Sequence, residues 1–192
     1  MSCDLDQPSS FTSKVKQGTY WIQNRRYPIL PPMRILAIDS GFERTGWAVI
    51  EMNKTGINYK TSGLIKTSAK KTMAKRLEEI YNELKTIIEK EKPSEMAIEQ
   101  LFFFKNQKTV IPVAQAQGIA QLLAAQNDIE LSLLTPLQIK QIVTGYGHSD
   151  KESVKKMIGL TLPKLDMSKM IDDEIDAIAC GLAYCYLNKN LL

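Results

Sequence analysis

Two short apolar runs in this chain each end in a carboxylate, and that pattern limits the folds open to it. The run MRILAID (33–39) is rich in Ile and Leu and stops at Asp39. The stretch SEMAIEQLFFFKNQ (94–107) holds a second run, Met96 to Ile98, that stops at Glu99. Runs this short, with no polar face, read as strands buried on both sides of a sheet. A carboxylate at the end of such a strand is costly unless something neutralises it. If the two strands are parallel neighbours, Asp39 and Glu99 lie side by side at one edge of the sheet.

The rest of the chain supplies the elements for that sheet. WAVIEMN and INYKTSGLIKT flank the turn KTG (54–56), which predicts a hairpin over 47–67. Residues 70–92 form an amphipathic helix with Met73, Leu77, Ile80, Leu84, Ile87 and Ile88 on one stripe, ended by Pro93. A second helix is expected from about Pro112 to Asn127, followed by the strand IELSLLT (129–135). Thr135 and Pro136 read as N-cap and first residue of a short helix. After the glycine turn TGYG, SDKE (149–152) has the form of a capping box, with Ser149 as N-cap. A last helix covers roughly 172–188. The order β-β-β-α-β-α-β-α-α-α predicts an α/β domain, a five-stranded mixed sheet with helices on both faces. Residues 1–32 carry Pro8, Pro28, Pro31 and Pro32 without a clear apolar period. They read as a flexible or loosely docked N-terminal extension, leaving 33–192 as the domain.

Charge and cysteine content narrow the function classes. The chain has 192 residues and a formal net charge of +4, weak evidence by itself for a polyanionic partner. From Lys105 to Lys164 there are seven lysines and four acids; from Leu165 onward there are five acids and two lysines, with four of the acids in DDEID. An acidic cluster beside a basic surface suits an anionic substrate held near metal ions. Solvated lysines and an acidic helix start would account for the same counts separately. No apolar run is long enough to span a bilayer, so no membrane role is expected. Cys3, Cys180 and Cys185 lack metal-ligand spacing and read as thiols of a reducing compartment, so the expected location is the cytoplasm. His148 is the only histidine, which leaves little for a histidine triad or a histidine metal site.

Asp173 and Asp176 share one face near the start of the last helix, ahead of the small apolar residues AIACGLA. With Asp39 and Glu99 they make four acids that cannot share a site uncompensated. Hard divalent cations would remove the conflict, and Mg²⁺ leaves room for water and phosphate oxygens among its ligands. Each acid also has a plain explanation: DDEID could serve the helix dipole, and Asp39 could cap the loop after its strand.

At this point the sequence resembles the RuvC family of Holliday junction resolvases, RNase H-like nucleases. ILAIDSGFERTGWAVIE, AIEQLFFFKN, QAQGIA, IKQIVTGYGHSDKESV and DDEIDAIACGLAYC match the family's motifs in order, from about residue 34 to 187. The resemblance implies an RNase H-like fold and metal-dependent hydrolysis of a phosphodiester at a four-way DNA junction. It implies Asp39, Glu99, Asp173 and Asp176 as metal ligands for two Mg²⁺ ions, with Mn²⁺ as a substitute. Asp172 is an extra acid by the motif. Lys140 and Lys151 match basic residues of the DNA surface, Phe102 matches an aromatic residue near the crossover, and Lys105 follows it. Gln117 stands where the family often has Arg, and no role attaches to His148. A homodimer is implied; a branch-migration motor is a partner the sequence leaves open. Phe103 and Phe104 are expected to pack in the core, since successive strand residues alternate faces.

Three other readings compete. An RNA–DNA hybrid or ribosomal-RNA-precursor nuclease would use similar carboxylates. A non-catalytic junction-binding module would have been favoured by a lost carboxylate, and none is lost. An actin-like ATP-binding domain would need further glycine-rich phosphate loops and a longer chain.

Overall fold

The computed structural model describes residues 19–22, 25–28, 32–101 and 107–188. The chain divides into two compact units, Met1–Pro31 and Pro32–Leu192. Within the first, β1 (Thr19–Ile22) and β2 (Arg25–Pro28) pair antiparallel, Tyr20 opposite Tyr27. Nothing in the residue pattern predicts this hairpin, because neither strand alternates apolar and polar residues.

The second unit carries the sheet. Its strands are β3 (Met33–Asp39), β4 (Arg44–Asn53), β5 (Gly56–Lys66), β6 (Glu95–Glu99) and β7 (Glu130–Leu134), in spatial order β5-β4-β3-β6-β7. β3 runs antiparallel to β4 and parallel to β6, and β6 runs parallel to β7, so the sheet is mixed as expected. At Asn53 the side chain accepts from the backbone N–H groups of Thr55 and Gly56, closing the β4–β5 turn.

Alternation along the strands builds two cores. Leu36, Ile38, Val49, Met96 and Ile98 point to one face, against Ile80, Leu84 and Ile88 of α1 (Met73–Glu91) and Ala120 and Leu123 of α2 (Gln107–Gln126). Ile35, Ala37, Ala48, Ile50 and Ala97 point to the other. There they meet α3 (Pro136–Thr144), α4 (Lys151–Thr161) and α5 (Asp172–Leu187). Full burial of a side chain such as Leu84 or Ile178 is worth about 1.5–3 kcal/mol, which makes both faces necessary to the fold.

α5 lies unusually close to the sheet. A methyl group on Gly181 would stand 2.8 Å from Ile50 Cγ1 and 3.1 Å from Ala37 Cβ. Ala177, Ala179 and Ala183 are buried beside it, so small residues set the spacing.

Helix ends follow their chemistry. Thr72 caps α1, and Lys92 ends it in the left-handed region, just before Pro93. Thr135 and Gln138 form a capping box on α3, with Gly145 as the left-handed C-cap. Two expectations fail. α2 begins at Gln107, so Pro112 lies inside the helix rather than in its first turn. The cap of α4 is Asp150, whose carboxylate accepts from Ser153 N–H, while the Ser149 hydroxyl turns back to Tyr146 O. A carboxylate is the better partner for the positive end of a helix.

Candidate active site

The register of β3 and β6 fixes the first pair of acids. Their last parallel pairing is Ile38 with Ile98, so Asp39 and Glu99 follow it together at the carboxyl edge. Each lies two residues beyond a member of the α5-side core, Ala37 and Ala97, and therefore faces α5.

The first turn of α5 is brought to the same edge by a glycine. Asp39 pairs directly with Gly46 of β4. A Cβ on Gly46 would lie 2.0 Å from the backbone oxygen of Asp173 and 3.1 Å from its Cβ. Only a residue without a side chain admits the helix here. Ser62 of β5 secures the same turn by donating to Glu174 Oε2 at 2.7 Å. The N-cap of α5 is Ile171, with no side-chain capping bond, so none of the acids in DDEID caps this helix.

Electrostatics record the crowding. Burial first, then the charges of Asp176 and Asp173, push the Asp39 carboxyl up to about 7. Burial, then Asp39 and Asp176, push Glu99 up to about 8. The cations nearby only soften this. Lys151 Nζ lies 3.2 Å from Asp176 Oδ2 and 3.8 Å from Asp172 Oδ2, and Lys155 Nζ lies 3.2 Å from Asp172 Oδ1. Burial works against the Lys151 charge, but Asp176, Asp172 and Asp39 raise its pKa above the ordinary lysine value. Lys140, on α3, lies near enough to oppose the rise at Glu99. Asp172 is held low, chiefly by the Lys155 hydrogen bond, and is the exposed outlier of the group.

The four acids predicted together thus lie around one edge, with Lys140 and Lys151 beside them. Phe102, Phe103, Phe104 and Lys105 fall outside the described residues. Among the described residues, no three His, Cys, Asp or Glu side chains stand in a metal-holding arrangement as placed. The donor set still fits a hard cation: the buried Asp173 Oδ2 has no hydrogen-bond partner, and burial and then the neighbouring acids hold the Asp39 and Glu99 carboxyls above their ordinary range.

Sequence reading passed over two contributors. Gly46 carried a signal, since glycine inside a strand marks a close approach. Arg44 carried none: its Nε reaches to 3.4 Å from Asp173 Oδ2, a contact that only the packing of α5 reveals.

Comparison with known proteins gives these residues a context. A family model described as "Crossover junction endodeoxyribonuclease RuvC" matches residues 35–185. The chain belongs to the RuvC family. The RuvC of Thermosipho melanesiensis is 42% identical over 153 residues, 80% of this chain and 96% of that protein. The RuvC of Fusobacterium nucleatum is 41% identical over 152 residues, 79% of this chain and 80% of the relative. Thermus thermophilus RuvC, solved in complex with a Holliday junction substrate, matches with a TM-score of 0.76 at 23% identity, covering 82% of this chain and 96% of that one. The yeast mitochondrial Holliday junction resolvase Ydc2 matches at 0.59 and 17% identity, covering 85% and 84%. These structures share the RNase H-like fold of RuvC, which accounts for the mixed sheet with helices on both faces. The protein is, by family, a crossover junction endodeoxyribonuclease.

Proposed function

We propose that this RuvC-family protein resolves four-way DNA junctions as a homodimer, with Asp39, Glu99, Asp173 and Asp176 holding two Mg²⁺ ions for which Mn²⁺ can substitute. The observation that carries the reading is the meeting of these four acids at one sheet edge, where burial and then the neighbouring carboxylates raise Asp39 and Glu99. RuvC nucleases are metal-dependent, and such ions supply the charge that activates water and stabilises a leaving oxygen. The chain's own part is to hold the acids. The strand register sets Asp39 beside Glu99, and Gly46 admits the α5 turn that brings Asp173 and Asp176. Asp39 and Glu99 would hold the ions as full carboxylates, giving up the protons that burial favours. Lys140 and Lys151 border the acids and suit the phosphates of the strand to be cut. Phe102 and Lys105 are proposed to meet DNA at the crossover, the ring by stacking on an unpaired base.

The dimer reading rests on α2. Ile111 and Leu122 are 66% and 52% exposed on a helix that already buries Ala116, Ala120 and Leu123 against the sheet. A second copy covering this outer face in two-fold fashion would direct two sites to symmetric strands. Cys180 and Cys185 are buried free thiols, which suits a reducing cytoplasm. The nuclease domain is proposed to span 33–192, with 1–32 dispensable for cutting.

The test is incubation of the purified protein with a synthetic four-way junction, an RNA–DNA hybrid and a single strand, with and without Mg²⁺. Paired symmetric nicks in the junction alone, dependent on the ion, are expected. Cutting of the hybrid in preference to the junction would overturn the assignment.

A further inference from the structure

We propose that Arg44 is a substrate-binding residue: it takes a phosphate of the cleaved strand, and its pairing with Asp173 is a resting contact that ends when the acids are loaded. The second half rests on the metal reading above; the first does not.

Arg44 opens β4, two residues before Gly46, so strand alternation turns both toward the face that receives α5. Its side chain is 59% exposed and meets the 16% exposed Asp173 at 3.4 Å. That distance is long for a charge-assisted hydrogen bond, and Asp173 Oδ2 is left without one. An exposed pair of this kind is worth about 0–1 kcal/mol, little enough for a better partner on either side to replace it.

The space beside the pair suits an anion. An open pocket of about 450 Å³ is bounded by Phe42, Arg44, Arg76, Val113 and Asp173. Arg76 is 8% exposed, and among the described residues it pairs with no carboxylate. Its guanidinium stacks on the Phe42 ring at 3.7 Å and donates to Thr67 Oγ1 and the Phe42 carbonyl. Two arginines therefore line one pocket; Glu43 is the acid among its lining residues besides Asp173. A DNA strand lying along the acids would bring a phosphate here, separate from Lys151, whose partners are Asp176 and Asp172.

The loop is built to hold Arg44 in place. Thr67 N–H donates to Glu43 O, the Thr67 hydroxyl to Phe42 O, and the Thr45 hydroxyl to Gly41 O. A Cβ on Gly41 would lie 1.9 Å from the Arg44 carbonyl oxygen, so the turn is as tight as glycine permits. The backbone of Arg44 is fixed while its side chain is free to change partners, which lowers the entropy lost on binding phosphate.

The test uses Arg44→Ala and Arg44→Lys in the full chain, with Lys66→Ala as control. Lys66 is the exposed register partner of Arg44 and carries the same charge. Junction affinity is measured across a salt series on an Asp39→Asn background, so that the DNA stays whole. Arg44→Ala should weaken binding several-fold and lower the log–log salt slope by about one unit, with Arg44→Lys keeping most of the slope. Lys66→Ala should change either far less. Calorimetric Mn²⁺ titration of DNA-free protein with Asp39 intact should show Arg44→Ala binding at least as tightly as the unmodified protein. An unchanged slope, or an equal fall with Lys66→Ala, overturns the phosphate contact. Weaker Mn²⁺ binding by Arg44→Ala overturns the resting-contact half. If the unmodified protein takes up no Mn²⁺, the metal reading and that half fail together, and the salt slope still decides the phosphate contact.

Discussion

The two ends of strand β3 handle charge in opposite ways. At its start, Arg34 Nε lies 2.9 Å from Glu51, and Lys60 Nζ lies 3.0 Å from Glu91 and 3.5 Å from Glu51. Burial alone would raise Glu91, but the Lys60 hydrogen bond and charge, with Lys90, bring it below the ordinary carboxylate value. At the strand's other end, Asp39 and Glu99 are pushed up to about 7 and about 8. At the first edge Glu51 and Glu91 are neutralised by the chain's own cations, although burial raises Glu95 there; at the second edge Asp39 and Glu99 have no such partners. A fold under stability pressure alone would resemble the first edge throughout. The second costs stability in the free protein, as expected of a place kept for cations from outside.

The comparison breaks most sharply at Asp39. Asp39→Asn should slow junction cleavage about a thousandfold, the scale of several kcal/mol of lost transition-state stabilisation, in single-turnover assays. Junction binding should stay near normal, and the metal-free variant should melt higher, because one crowded carboxyl is gone. Near-normal cleavage would remove Asp39 from the metal set.

The next effect is in pH. Asp39 and Glu99 hold protons in the folded protein that the unfolded chain has released, from about pH 4 up to about pH 8. The folded state therefore binds more protons across that window, and metal-free stability should fall as pH rises through it, levelling above about 8. Divalent ions compete with those protons, so Mn²⁺ affinity should rise about tenfold or more per pH unit between about 6 and 8. Denaturant melts and titrations over that range read both, and parallel slopes with and without the ion would contradict the scheme.

A smaller effect belongs to the neutralised edge. Lys60→Met leaves the buried Glu91 with only the exposed Lys90 and should destabilise the fold by about 2 kcal/mol, read by urea denaturation. Cleavage by the folded variant should not change, since Lys60 and Glu91 lie at the opposite end of the sheet from Asp39 and Glu99. A large loss of turnover at unchanged stability would mean that the two ends are coupled. The smallest effect is expected from a Met33 start: removing 1–32 should leave both melting temperature and cleavage nearly intact. A fall of several degrees would show that the extension packs on the domain.

The acids were legible in the sequence because each breaks a local rule: a carboxylate after three or four apolar strand residues stands out by period alone. The hairpin, the Thr135 cap and most of the α1 face were legible for the same reason, since each follows from spacing within a few residues; Met73, expected on that face, is exposed, and Arg76 is buried in its turn instead. What stayed hidden depends on the approach of distant segments. Arg44 looked like any loop cation until α5 set Asp173 against it. The start of α2 was misread because Pro112 marks a first turn in isolation, whereas here it lies within a helix that begins at Gln107. Ser149 and Asp150 compete for one cap, and the local pattern favoured the motif over the stronger acceptor.

Gly46 has a consequence for how this enzyme can vary. Its missing side chain leaves less than a methyl group of clearance between two backbones, so the acids of the sheet and the acids of the helix are kept in range by an absence. Exchange at any one of the four acids would alter one group, whereas a side chain in this gap would shift two of them at once. Alanine there would leave every ionisable group in place and still disconnect the two halves of the centre. The protein can thus lose its chemistry through a change that no inventory of functional groups would register.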